Sequence, residues 1–363
     1  VLVTRQPLFR RFWYPVMPTR MLDEGRPMPF RLLDEDIVLW RSADGDYAAM
    51  DDRCCHRTAR LSMGWVQNDH IVCAYHGWCY DRRGRCTRIP QVPDAKDIPY
   101  RVPSYPTQVR YGYVWVCLGM TPLNSIPDLE EDGAEGFRCI HEFYEPCKAS
   151  GLRLMENFFD FSHTSFVHKG SFGNLQDPRP RETKLEETPE GLTLRGDLPV
   201  AHTDPHIRHA VHDNGQGRDT LRRMESQWYL PFMRKSRITY PSGLVHALVT
   251  YATPIDDAHS MLCQWIYRND TEEQVSAADC IAMDRRITDE DLAILAGVEP
   301  DVSLSASRDE EAHMFTDRPG LAMRRRILGL LREHGETEVR CPRRLARLAA
   351  RGGPDSPPDA RTA

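Results

Sequence analysis

Two clusters of side chains in this chain could ligate metal. The first is Cys54-x-His56 followed, after 16 residues, by Cys73-x-x-His76. Each half pairs one thiolate with one imidazole. Two such halves suit a two-iron, two-sulfur cluster in which two histidines replace two cysteines on one iron. The second is Asp160-x-x-His163, with His168 five positions further on. Two imidazoles and a carboxylate that leave positions open suit a mononuclear Fe(II) that activates O2. A chain holding both has an electron inlet and a site for oxygen chemistry.

In the first cluster, Cys54 and Cys73 are expected on one iron. His56 and His76 are expected on the other, nearer the surface, where an imidazole edge can pass an electron. Gly77 lets the backbone approach the cluster, and Trp78 can shield it. Cys55, Cys79 and Cys86 fall outside the spacing and read as spectators. Zinc is one alternative, because two cysteines and two histidines are a zinc set, although zinc sites usually pair Cys with Cys and His with His. A metal-free packing role is the other.

In the second cluster, Asn157, Asp160 and His163 recur every three residues, which places them on one side of a helix. Asp160 can then accept a hydrogen bond from His163, as carboxylates beside metal-bound imidazoles commonly do. His168 lies roughly 140° round an ideal helix from His163. Both reach one metal only where the helix ends or bulges between them, and Thr164 and Ser165 mark that break. A buried structural His–Asp pair is the plain alternative. A third ligand is expected within Asp284–Leu295. Ile287, Asp291, Ile294 and Leu295 share one helical face there. Asp291 is thus a carboxylate in an apolar stripe, costly unless paired or bound to metal, and is preferred to Glu290 and Asp284.

The elements that must position these residues divide the chain. Short apolar runs at 30–33, 37–40, 47–50, 71–73 and 111–118 are punctuated by Asp44-Gly45, Asn68-Asp69 and Arg83-Gly84. That is the pattern of hairpins in a small all-β unit. Pro122, Pro127 and the acidic stretch to Glu135 read as a linker. The second part is expected to hold a helix over 147–168, antiparallel strands near 193–196, 224–229, 236–240, 245–253 and 261–267, and helices over 274–296 and 321–334. Gly335 suits the cap of the last helix. Residues Gly170 to Arg222 read as long loops, and the tail beyond Pro342 as disordered. The expected units are 1–123, 124–338 and a tail of 339–363.

Bulk properties exclude several classes. With 363 residues, 40% hydrophobic and 28% charged, the composition is that of an ordinary soluble protein. A net charge of −6 argues against nucleic acid as a partner. No run approaches the roughly 18 apolar residues of a membrane span. Arg5, Arg10 and Arg11 stand where a signal peptide would be apolar, so none is expected. Eleven cysteines without even spacing suggest free thiols and a cytoplasmic, reducing compartment.

With these residues in place the chain resembles the terminal oxygenase (α) subunits of Rieske non-heme iron oxygenases. Further segments carry the resemblance: Leu61-Ser-Met-Gly64, Tyr75-His76-Gly77-Trp78-x-Tyr80-Asp81, Gly84-x-Cys86, Ile89-Pro90, 111–119, Thr253-Pro-Ile-Asp-Asp and Ile287 to Leu295. It looks most similar to the α-only branch, which includes dicamba O-demethylase-like and saxitoxin-tailoring oxygenases. Cys55 stands where that branch often has Pro or Leu.

The resemblance implies an α+β chain, an N-terminal all-β Rieske domain followed by a helix-grip, START-like antiparallel-sheet catalytic domain. It assigns Cys54, His56, Cys73 and His76 to the [2Fe–2S] cluster. His163, His168 and Asp291 fall to the mononuclear Fe(II), and Asn157 becomes a polar neighbour of the iron. It implies a head-to-tail homotrimer in which Asp160 bridges the cluster of one subunit and the iron of the next. Electrons would come from NAD(P)H through a separate reductase, with or without a ferredoxin. The expected reaction uses O2 to monooxygenate a small organic molecule, by hydroxylation or oxidative N- or O-dealkylation. Cis-dihydroxylation of an aromatic ring is the rival within enzymes. A Rieske electron carrier with a non-catalytic binding domain is the rival outside them. Pocket residues are expected from 170–222 and 224–267, with Met233, Tyr240, His246, Tyr251 and Trp265 as possible lining. His202, His206, His209 and His212 read as part of a solvated or lid loop.

Overall fold

Short apolar runs cut by residues that tolerate positive φ give short hairpins. The computed structural model describes residues 1–22, 25–201, 204–211, 219–306, 310–342 and 345–346. In the first third, the strands are β1 (Tyr14–Pro18), β2 (Met28–Leu32), β3 (Glu35–Arg41), β4 (Tyr47–Asp51), β5 (Trp65–Gln67), β6 (His70–Val72), β7 (Cys79–Tyr80), β8 (Cys86–Arg88), β9 (Ser104–Tyr105), β10 (Thr107–Arg110) and β11 (Tyr113–Val116). They form sheets ordered β2-β3-β4-β9, β5-β6-β7-β8 and β1-β11-β10. Gly45, Asn68 and Gly84, all at positive φ, turn the three hairpins where the dipeptides predicted them.

The rest of the chain builds one seven-stranded antiparallel sheet with helices on one face. In order these elements are β12 (Arg138–Cys147), α1 (Gly151–Phe158), α2 (Thr164–Val167), β13 (Arg181–Glu187), β14 (Gly191–Ala201), α3 (Pro205–Ala210), β15 (Asp219–Tyr229), β16 (Met233–Thr239), β17 (Val245–Pro254), β18 (Ser260–Arg268), α4 (Ala277–Leu295) and α5 (Arg318–Glu333). The strand order is β12-β18-β17-β16-β15-β14-β13. The architecture is therefore the expected α+β, a β unit followed by an antiparallel-sheet unit.

Both faces of the large sheet are covered, and strand parity decides what each face does. On β17 the odd positions turn to the N-terminal part. Tyr251 donates its hydroxyl proton to Trp13 O at 2.7 Å, and Thr253 donates to Pro15 O at 2.8 Å. The even positions, His246 and Leu248, face the helices and line a cavity. One buried hydrophobic cluster runs from residues 1–22 and 111–118 into the large sheet. A second surrounds Cys54 and Cys73.

Two expectations fail, and one strand goes unforeseen. The region 170–222 is not a run of long loops, for it holds β13, β14, α3 and the start of β15. β13 is an edge strand of charged residues, and such edges lack the apolar alternation by which a strand is recognised. Residues 138–147 form a full strand, β12. Its alternation is interrupted by a bulge at Glu142, which masks the period. The helix expected over 147–168 is two helices, and they part before His163 rather than between the histidines. Asp160 accepts the backbone N–H groups of Ser162 and His163, both at 2.9 Å, and this local bonding competes with the helix.

Gly335 at positive φ closes α5 as expected, with Glu336 N–H on Leu331 O at 2.8 Å. The expectation of a disordered tail lies largely outside the described residues, as do His202 and His212. His206 and His209 sit on α3.

Candidate functional site

The break between α1 and α2 creates the metal-ligating geometry. His163 stands at the N-terminal end of α2 and His168 at its C-terminal end, so a single turn separates the two rings. Their centroids lie 5.4 Å apart. Asp291 comes from α4, whose buried face is Cys280, Met283, Asp284, Thr288, Asp291 and Leu295. Ile294, expected on that face, is 54% exposed.

Asp291 Oδ1 lies 3.4 Å from His163 Nε2 and 3.4 Å from His168 Nε2, and has no hydrogen-bond partner. The ligand atoms of His163, His168 and Asp291 fall within 4.8 Å of one another. No other set of three or more His, Cys, Asp or Glu among the described residues does so. A buried, orphaned carboxylate oxygen facing two imidazole nitrogens fits a divalent cation between them.

The other nitrogen of each ring is already engaged. His163 Nδ1 contacts Asp160 Oδ2 at 3.2 Å, and His168 Nδ1 contacts Glu290 Oε2 at 2.8 Å. Carboxylates on Nδ1 direct the proton there and leave Nε2 as the donor to metal. Asp160 thus meets His163 as the spacing predicted, by way of a turn rather than a helical face. Glu290, weighed as a rival to Asp291, orients His168 and also accepts from Ser171 Oγ at 2.8 Å. Asp284, the other rival, lies 3.1 Å from His246 Nε2. Asn157 stands beside Asp291 with a buried amide nitrogen that has no partner.

Electrostatics follow from burial and these partners. Burial alone disfavours charge on His163, but Asp160 and Asp291 hold it up to about 9. Burial outweighs Asp291 and Glu290 at His168, which titrates below the usual histidine range. Burial raises Asp291, and His163, His168 and Asn157 more than offset it.

In the N-terminal part, Cys54 precedes a loop and Cys73 opens the β6–β7 turn. Gly77 N–H closes that turn on Cys73 O at 2.9 Å, with Gly77 at φ +71°. Both cysteines are buried, and His56 and His76 are half-buried with ring centroids 4.5 Å apart. Trp78 stacks on His56 at 4.5 Å. His56 Nδ1 is buried without a partner. The orphan nitrogen and the inward thiols fit a cluster. No three of the four ligand atoms lie at single-ion spacing, as a zinc site would require. Tyr80 OH sits 3.0 Å from Cys54 Sγ and 3.3 Å from the exposed Cys55.

A cavity of ≈ 80 Å³ lies beside the triad. Tyr240 and His246 line it as expected. Met233, Tyr251 and Trp265 do not, because their odd-numbered positions face the opposite side of the sheet. Arg222, Arg234 and Gln264, which fall in the expected ranges without being singled out, and Asp284, weighed as an iron ligand, also stand on the cavity wall. Polar residues alternating with apolar ones read as solvent-facing, and here they face inward. Glu142, turned inward by its bulge, accepts from Gln264 Nε2 at 2.9 Å. Burial and the neighbouring Asp284 push its carboxyl well above the usual range. No helix among the described residues is long and apolar enough to cross a membrane.

Comparison with known proteins matches residues 12–106 to the Rieske [2Fe-2S] domain and residues 147–333 to the vanillate O-demethylase oxygenase C-terminal domain. The methylxanthine N1-demethylase NdmA of Pseudomonas putida is 31% identical over 209 residues, which are 53% of this chain and 59% of that one. The 5,5'-dehydrodivanillate O-demethylase oxygenase subunit of a Sphingobium species is 34% identical over 168 residues, 44% and 39% of the two lengths. The chain therefore spans less than two thirds of these relatives. Among solved structures, Pseudomonas putida CBB5 NdmB superposes with a TM-score of 0.71 at 26% identity, over 90% of this chain and 92% of that one. Dicamba monooxygenase bound to dicamba gives 0.75 at 21% identity, over 90% and 98%, which is a likeness of fold.

Proposed function

Because the chain belongs to the Rieske non-heme iron oxygenases, we propose that it monooxygenates a small organic molecule, by hydroxylation or oxidative N- or O-dealkylation. The observation that carries this reading is the pair of imidazoles turned Nε2-first toward the orphaned Asp291 Oδ1. Demethylation is the activity in the names of both curated relatives.

His163, His168 and Asp291 would hold mononuclear Fe(II), and Cys54, His56, Cys73 and His76 the [2Fe–2S] cluster. Iron held there would supply O2 activation, and the cluster would supply electrons. Asp160 and Glu290 keep the imidazole rings oriented and the protons on Nδ1. Phe158, Phe172, Met224, Ile238 and Leu248 give the cavity an apolar wall that excludes water from the reacting bond.

We assign the electrons to a separate NAD(P)H-dependent reductase, with or without a ferredoxin, and the chain to a homotrimer. In the trimer Asp160 would join the cluster of one subunit to His163 of the next. Large exposed apolar side chains support such contacts. Met63 is 73% and Tyr75 65% exposed in the N-terminal part, Phe166 on α2 is 60% exposed, and Phe315 beside Asp160 is 71% exposed. Eleven free cysteines support a cytoplasmic setting.

Iron analysis with labelled O2 tests the reading. About three irons per chain and one labelled oxygen atom in the product are expected. Two irons without turnover would indicate an electron carrier, and two labelled atoms a dihydroxylating enzyme.

A further inference from the structure

Two guanidiniums, Arg222 and Arg234, line the cavity that also holds His163, His168 and Asp291. Arg222 is 4% exposed and Arg234 8%. Buried arginines are ordinarily paired, and others in this protein follow the rule. Arg268 pairs with Asp270, Arg324 with Glu311 and Arg340 with Glu310. Neither cavity arginine makes a side-chain ion pair or hydrogen bond among the described residues, and the Nε of each is buried without a partner.

The two differ in what holds them. Arg222 lies between two rings, with its Cζ 4.3 Å from the Phe172 centroid and 5.3 Å from that of Tyr240. Arg234 has one ring, Phe158, at 5.5 Å. Trp228 is the cross-strand partner of Arg234, and Arg222 stands on the same strand as Trp228. At ~3.4 Å per residue the two arginines start about 20 Å apart along the wall, so they do not form one clamp. Arg234 is the one that feels the charge of Asp291 and Asp284.

Both of those carboxylates face histidines, and neither forms an ion pair with Arg234. Asp291 faces the two histidines, and Asp284 faces His246 and shares a hydrogen bond with Glu142. Burial draws the Arg234 guanidinium down to about 10, against the pull of the two carboxylates. It stays cationic at neutral pH, in an apolar setting, with donors free toward the cavity.

We propose that Arg234 is the anchor for an acidic group of the substrate, and that the cavity takes a small organic carboxylate in preference to a neutral molecule. This rests on the cavity being the oxygenase's substrate pocket. A carboxylate supplies the two acceptors that a guanidinium fork matches, and a neutral amide or ether supplies no charge.

The test is calorimetric titration of the purified holoprotein, with iron content and cluster absorption measured on the same samples. The probes are 4-methoxybenzoate, phenylacetate and indole-3-acetate, each beside its own primary amide. At least one acid is expected to bind roughly tenfold or more tightly than its amide. Arg234→Met should weaken that acid on the order of 100-fold and leave the amide within about twofold, with Arg234→Lys in between. Since Arg234 loses no protein partner, the melting temperature of Arg234→Met should hold or rise.

Equal affinity for acid and amide, undiminished acid binding in Arg234→Met, or no binding by any acid would overturn the assignment. So would a lower melting temperature in both variants, which would make Arg234 a structural residue. Acid binding that depends on Arg234 in a protein unable to take up mononuclear iron would overturn the oxygenase reading and leave this one standing.

Discussion

His168 Nδ1 lies 2.8 Å from Glu290 Oε2, so the residue that orients this ring is the chain neighbour of the carboxylate facing its other nitrogen. One turn of α4 therefore presents two carboxylates with different tasks. Glu290→Gln should keep the mononuclear iron but weaken its binding about 10- to 100-fold, the usual cost of losing a carboxylate behind a metal-bound imidazole. Titration of metal-free protein with Fe(II) under anaerobic conditions measures it. An unchanged affinity would mean that the contact does not orient the ring.

Asp291→Ala, His163→Ala and His168→Ala should each abolish mononuclear iron and turnover while leaving the cluster spectrum intact. One ligand set stands in loops of the N-terminal part and the other on α4 and the ends of α2, so the losses should separate. Product formation by any of the three variants would show that the triad is misassigned.

The protein should be red-brown, with a reduced EPR signal of mixed His and Cys ligation. Cys54→Ser or Cys73→Ser should remove the colour. Both thiols are buried, so neither replacement finds solvent or another ligand to substitute. A colourless wild-type preparation after anaerobic iron–sulfur reconstitution would sink the cluster assignment.

Asp160→Asn should keep the fold and much of the iron but slow reoxidation of the reduced cluster by orders of magnitude. Asp160 Oδ1 accepts from Ser162 N–H, and Oδ2 accepts from His163 N–H and faces Nδ1. An amide replaces one of these oxygens, so a stability loss of about 1 kcal/mol should accompany the kinetic effect. Rapid mixing of reduced, substrate-loaded variant with O2 decides. Reoxidation at the wild-type rate with full iron content would make Asp160 a turn residue only.

Asp270, paired with Arg268 and Arg138, offers a pH test. Burial works against its charge, but Arg268 and Arg138 bring its carboxyl down to about 2. The folded value lies below the unfolded one. The stabilisation is therefore present above about pH 4 and is lost as pH falls through about 2, on the order of 2 kcal/mol. Asp270→Asn should lower stability at pH 7 and flatten the acid limb of a denaturation series. A variant with the wild-type acid profile would remove this pair from the account.

Much of the site was legible because its residues are chemically scarce. Cys54, His56, Cys73, His76, His163 and His168 stand out by type and spacing. Asp291 stands out because a carboxylate in an apolar stripe needs a reason. The helix break was placed too late because it depends on a side chain bonding to backbone, which period alone does not register. β12 and β13 were missed because a bulge and an edge position erase alternation. The cavity's polar wall was not singled out for a related reason. Alternation reports that a strand has two different faces, but only tertiary packing says which of them is inside.

That two-faced sheet has a consequence for how the protein can diversify. Even-numbered positions such as Arg222, Met224, Arg234, Ile238, His246, Leu248 and Gln264 meet the ligand space. Odd-numbered positions such as Val249, Tyr251 and Trp265 build the seam to the N-terminal part. Because neighbouring residues on one strand serve different partners, mutation can explore new substrates at alternate codons while the seam stays untouched. A combinatorial library confined to the cavity-facing positions just named should yield mostly folded, cluster-bearing variants, and one confined to the odd positions of the seam should not.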